Sequence, residues 1–334
     1  MKKCTRVRPP RRLVAPRHSA SRLGVSSTMV RAAETTTTAP PSTSSTTPPS
    51  HVCEILGNRL DFRIDPQRLN EAGVVWDAAV RALAEAVAPE LRRRAARRGR
   101  VSVLELGAGT GALGVGLAAG VEGCRALVTD LEPVVPLMRA NAEDAARLGR
   151  LARDSAVECE ALAWAEDANI PTPNAVIGDG GRRDISGDGD GDGDARSRQG
   201  WDLVAGCEIL YWGGWDIFDE DTRAPLLATM RRACALGRPR GRPESVPGDI
   251  PGDGDGDDFA ELALAFTVRD KGRETGFVLD GVGENFWLRV IPGDGDGDGD
   301  LDRARLDAEA RAAVAAAREG DLLLLGGRLK DPNP

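Results

Sequence analysis

Residues Glu105–Gly111 read ELGAGTG, with glycines at Gly107, Gly109 and Gly111 and a carboxylate two positions before the first of them. Glycines directly after an apolar strand let the backbone turn sharply and approach a ligand closely. A dinucleotide loop would read GxGxxG, and its pyrophosphate would repel Glu105. GxGxG beside an acid suits a cationic ligand better. S-adenosylmethionine, which carries an ammonium and a sulfonium, is one.

Asp130 follows about twenty residues on, at the end of a second apolar run, RALVTD. An acid there accepts the ribose hydroxyls of an adenosine ligand. Trp164 lies beyond a third run, in ALAW, where an indole either flanks an adenine or fills the core; Trp76 has the same two readings. The fourth run, Trp201–Tyr211, reads WDLVAGCEILY and brings Cys207 and Glu208 to a strand end. Tyr211, the only tyrosine in the chain, comes three residues after Glu208, so a helical turn would set both on one cleft.

These groups need a scaffold that gathers strand ends. Apolar runs at 101–106, 125–130, 157–161, 202–207, 261–269, 286–291 and 321–329 predict seven strands. Helical periodicity covers 73–88, 112–119, 133–148, 222–234 and 301–318. Arg92–Arg100 reads as a basic connector. Strands alternating with helices predict an α/β class chain, a Rossmann-like, mostly parallel seven-stranded sheet with helices on both faces. Ligands of such sheets bind at the carboxyl ends of the strands.

The ordered set resembles the methyltransferase-like 21 group of seven-β-strand protein-lysine methyltransferases. Trp76, Glu105–Gly111, Thr129–Asp130 and Trp164 match in order, followed by the acid-x-x-Tyr signature Glu208–Tyr211 and the PLL pattern at Pro225–Leu227. The resemblance implies a class I S-adenosylmethionine-dependent fold. It implies cofactor contacts at Trp76, Gly107, Ala108, Gly109, Asp130, Trp164 and Cys207, beside the acid at Glu105. It implies catalytic, substrate-side roles for Glu208 and Tyr211, with methyl transfer to the ε-amine of a lysine in a protein partner. The family usually has Asp where this chain has Glu208, one methylene longer. Three other readings stay open. They are a same-fold enzyme for histidine, RNA or a small metabolite, a dinucleotide oxidoreductase, and a non-catalytic binding protein.

The remaining composition narrows partners and place. The net charge of -8 disfavours a broad nucleic-acid footprint. Six scattered cysteines without CxxC, and two histidines at His18 and His51, give no metal set. No apolar run approaches the ~18 residues of a membrane span, and the expected unit is a monomer. Residues 1–50 are basic and then Thr/Pro/Ser-rich, with the first acid at Glu34, a composition shared by organellar transit peptides and by basic disordered tails. The address is thus plastid or mitochondrion under the first reading and cytoplasm under the second. The domain is expected over 52–330, with Gly/Asp-rich insertions near 171–200, 238–258 and 293–300 that lack the ligand order of calcium loops.

Overall fold

The computed structural model describes residues 49–173, 200–210, 220–236, 260–291 and 300–330. The Gly/Asp-rich tracts, the tail before residue 49 and Tyr211 lie outside the described residues.

The described chain opens on a hairpin, β1 (Ser50–Ile55) and β2 (Asn58–Arg63). It turns through Leu56 and Gly57, both at positive φ, and buries Cys53, Ile55, Leu60 and Phe62 on one face by strand alternation. The sequence reading assigned no strands here, since Leu-Gly is a weak hairpin signal beside Asn-Gly. The short helix α1 (Pro66–Leu69) and a 3-10 turn (Asn70–Gly73) lead to α2 (Asp77–Arg98). That helix corrects the expected connector. The apolar periodicity ends at Ala88, and Pro89 lacks the N–H that helix interiors use, yet the helix runs through it to Arg98 and stops on left-handed Gly99. Arg94 is buried, donating to Glu90 and to the Asp202 carbonyl, and Arg98 pairs with the Asp202 carboxylate at 2.7 Å. This run therefore clamps the entry to a central strand.

Next come β3 (Val101–Leu106), α3 (Ala112–Gly120), β4 (Cys124–Asp130), α4 (Val135–Arg147) and β5 (Ala156–Ala161). The second half holds β6 (Leu203–Cys207), α5 (Glu220–Ala235), β7 (Glu261–Thr267), α6 (Lys271–Gly276), β8 (Phe286–Val290), α7 (Asp300–Ala316) and β9 (Leu322–Leu329). Helix α6 was not foreseen. Its glycine-rich sequence has low helix propensity, but the Asp270 side chain caps it by accepting from the Arg273 N–H, and a π-helical stretch (Phe277–Val282) continues it.

The main sheet runs β5-β4-β3-β6-β7-β9-β8. The first five strands in that order are parallel, whereas β9 is antiparallel to both β7 and β8. The expected Rossmann-like class is thus borne out. Alternation along each strand feeds two apolar layers. Val101, Val103, Leu203, Ala205 and Ala263 pack with α2 and α3 residues on one face, while Leu104, Leu106, Val204, Leu262 and Leu264 pack with α5 and α7 residues on the other. No helix of the described residues is long and apolar enough to cross a membrane.

Candidate active site

The crossovers leave β3 in opposite senses toward β4 and β6, so a cleft forms at their carboxyl ends. The glycine loop sits there. Gly107, Gly109 and Gly111 have φ of 62°, 54° and 76°, a region costly for other residues. Two of them are also crowded. A Cβ on Gly107 would stand 2.7 Å from Ile209 Cγ2 and 3.1 Å from Trp164 Cζ2, and one on Gly109 would stand 2.9 Å from the Ala72 carbonyl oxygen. The loop thus brings Trp164, Ile209 and the turn before α2 together around itself.

Asp130, at the end of β4, accepts from the Gly109 N–H at 2.8 Å through Oδ2 and from the Leu131 N–H at 2.7 Å through Oδ1. Each oxygen retains a lone-pair direction for a hydroxyl. Burial pushes this carboxyl above its usual range, and the two backbone N–H groups oppose that rise. The Ala108 N–H is used within the fold, donating to the Thr129 carbonyl.

Glu105 lies deeper than its neighbours. It is 2% exposed, and Oε2 accepts from the Gly114 N–H in the first turn of α3 at 2.8 Å. A carboxylate at a helix N-terminus is favoured by the orphan donors there. Burial dominates nonetheless, pushing its pKa up to about 8, with the Asp130 charge adding to the rise. Glu105 therefore serves the loop from below, as a carboxyl that burial keeps mostly protonated near neutral pH.

At the end of β6, Cys207 is buried, and desolvation together with the Glu105 and Glu208 charges raises its thiol well above the ordinary value. It packs as a neutral thiol. Glu208 adopts φ 57°, unusual for a non-glycine residue and a frequent mark of functional strain. Its Oε1 accepts from the Thr267 hydroxyl at 2.7 Å and from the Thr267 N–H at 3.1 Å, and its Oε2 pairs with Arg269 Nη1 at 2.7 Å. The same guanidinium lies 4.9 Å from the centroid of Trp76, whose Nε1 donates to the Glu71 carbonyl at 3.2 Å.

The structure brings Trp76, Glu105, Gly107, Ala108, Gly109, Asp130, Trp164, Cys207 and Glu208 to one edge of the sheet. Thr267 and Arg269 join them without having been singled out. Their signal was positional, since they end the strand beside the one carrying Glu208. The donor set fits S-adenosylmethionine. Asp130 keeps acceptor capacity at the cleft, the glycines permit close backbone approach, and the acids Asp130 and Glu208 outnumber the single cation Arg269 among these residues.

Residues 57–176 match a family model described as lysine methyltransferase. Over 116 residues the chain is 33% identical to the protein N-lysine methyltransferase METTL21A of Danio rerio, an alignment covering 35% of this chain and 49% of that protein. The chain spans about half the length of this curated relative. Among solved structures, it is similar to magnesium protoporphyrin IX methyltransferase of Synechocystis with bound SAM, at 12% identity and TM-score 0.35, covering 79% of this chain and 90% of that one. It is also similar to PKMT2 of Rickettsia typhi in complex with AdoHcy, at 13% identity and TM-score 0.27, covering 54% and 23%. The resemblance to the methyltransferase-like 21 group is borne out by the family model and the relative.

Proposed function

From a chain whose residues 57–176 bear the lysine methyltransferase pattern, we propose an S-adenosylmethionine-dependent methyltransferase acting on the ε-amine of lysine in a protein substrate. One observation carries this reading most. The matched segment holds the glycine loop and Asp130, and the fold docks the Asp130 carboxylate on the Gly109 N–H at the mouth of the cleft.

Asp130 would accept the ribose hydroxyls, with Trp76 and Trp164 beside the adenosine and Glu105 bracing the loop from below through the Gly114 N–H. S-adenosylmethionine, when bound, supplies an electrophilic methyl for in-line displacement. The chain's own contribution is then proximity and orientation. A lysine at its ordinary pKa of about 10.4 is almost wholly protonated at neutral pH, so the site must receive the ammonium and let its proton leave. Glu208 would orient the incoming group, and Tyr211 would frame the channel and contact the amine; the proton then departs to water.

Titration with S-adenosylhomocysteine against NAD tests the cofactor. Incubating a protein extract with methyl-labelled S-adenosylmethionine, followed by identification of the labelled residue, tests the acceptor. Label on histidine, RNA or a small molecule would replace lysine with that acceptor. Glu208→Gln and Tyr211→Phe should each lower turnover while sparing S-adenosylhomocysteine binding; near wild-type turnover in both would remove their assigned roles. We infer a methyltransferase domain over 52–330 acting as a monomer. The basic N-terminal segment is read either as an organellar address, giving plastid or mitochondrion, or as a basic tail, giving cytoplasm; locating the protein with and without it decides between the two.

A further inference from the structure

The contacts around the glycine loop close into a circuit. Ile209 packs on Gly107, and its chain neighbour Glu208 pairs with Arg269. Arg269 stacks on Trp76, Trp76 bonds to Glu71, and the adjacent Ala72 packs on Gly109. Arg269 is the one cationic member of this ring. Its side chain is 26% exposed while that of Glu208 is 3% exposed, so the guanidinium stands between the carboxylate and solvent.

We propose that Arg269 is a positioning residue that keeps the acceptor lysine unprotonated in the bound complex. The inference rests on the lysine methyltransferase reading above. With Arg269 on Oε2 and Thr267 on Oε1, the Glu208 carboxylate can steer an amine but is already neutralised, and does not trap it as a tight ammonium pair. An uncompensated Glu208 carboxylate would stabilise the ammonium, whereas the net-neutral pair does not, and this favours the neutral nucleophilic amine. Other charged and titratable groups among the described residues also lie near Arg269. Glu274, from α6, is buried, and its Oε2 accepts from the Arg269 and Asp270 N–H groups. The Cys207 thiol lies on the sheet side, and Asp270 is turned to the Arg273 N–H. Glu208 and the Thr267 carbonyl hold the guanidinium in place, while Glu274 fixes the backbone that carries it.

The test is single-turnover transfer from labelled S-adenosylmethionine with enzyme in excess over extract proteins, followed from pH 6 to 10. These conditions report the bound complex. For Arg269→Gln, the rising limb should move up by about one pH unit, giving roughly a tenfold loss at pH 7 that closes toward pH 10. Arg269→Lys retains the charge and should keep the limb near its wild-type position, whatever its absolute rate. S-adenosylhomocysteine binding by both variants checks that the fold and cofactor site survive. A loss by the same factor at every pH, or a shift in Arg269→Lys equal to that in Arg269→Gln, would overturn the inference and leave the function standing. Absence of transfer to lysine by the wild type would overturn both.

Discussion

The side-chain amide of Asn141, buried on α4, donates through Nδ2 to the carbonyl of Thr110 in the glycine loop at 2.9 Å. Its Oδ1 accepts from the Arg63 N–H at 2.8 Å, and Nδ2 also reaches the Arg63 carbonyl. One amide thus fastens the loop and the N-terminal hairpin to the same helix. Asn141→Leu would leave three backbone groups without this partner, at about 1–3 kcal/mol for each group that stays buried and unpaired. We expect a lower urea midpoint together with weaker S-adenosylhomocysteine binding. Unchanged binding in a destabilised variant would separate the hairpin from the loop.

Asp130→Asn keeps the shape of the side chain but turns one oxygen into a donor facing either the Gly109 or the Leu131 N–H. It also removes the charge offered to the ribose. Hydrogen bonds to charged groups contribute about 1.5–3 kcal/mol, so S-adenosylhomocysteine affinity should fall about 10–100-fold, and thermal stability should fall by the smaller cost of one backbone N–H losing its acceptor. Calorimetric titration reads the first quantity and a melting curve the second.

Glu105 gives a pH signature. Its folded pKa of about 8 lies above the unfolded value, so the folded state holds a proton that the unfolded chain releases. Stability associated with that proton is complete below the unfolded pKa and is lost as pH rises through about 8. Glu105→Gln can still accept from the Gly114 N–H without this loss. The variant should match wild type near pH 5 and melt about 3 °C or more higher near pH 9, which a melting series across pH would reveal. Parallel curves at every pH would show that Glu105 is ionised throughout.

Gly107→Ala combines positive φ with a Cβ placed against Ile209 and Trp164, whereas Gly149→Ala meets a similar φ of 63° in open space. The difference between the two variants isolates the packing of Ile209 and Trp164 on the loop. Both should lose about 1–2 kcal/mol from the backbone. Only Gly107→Ala should also weaken S-adenosylhomocysteine binding, as measured by tryptophan fluorescence.

The parallel sheet was legible because its strands are buried on both faces and read as continuous apolar runs between glycines. The cofactor edge was legible because Gly107, Gly109 and Asp130 are local signals at strand ends. What the sequence hid is of other kinds. The extent of α2 was masked by Pro89, and α6 by its glycines, since tertiary packing overrides propensity in both. The Glu208–Arg269 pair and the Arg63–Asn141 bond join residues 61 and 78 positions apart. No spacing rule reaches across such distances without the strand order in hand.

Strand β6 aligns on β3 in a register where the Ser102 N–H donates to the Asp202 carboxylate, 100 positions downstream. The Gly/Asp-rich sequence near 171–200 falls inside that interval. Closure entropy grows only with the logarithm of the intervening length. Excising ~30 of those ~100 residues alters the closure cost by only ~0.3 kcal/mol. The central pairing is therefore nearly indifferent to how long that stretch becomes. Such insertions can expand or contract at almost no thermodynamic penalty, provided the Arg98–Asp202 clamp at their downstream end is kept.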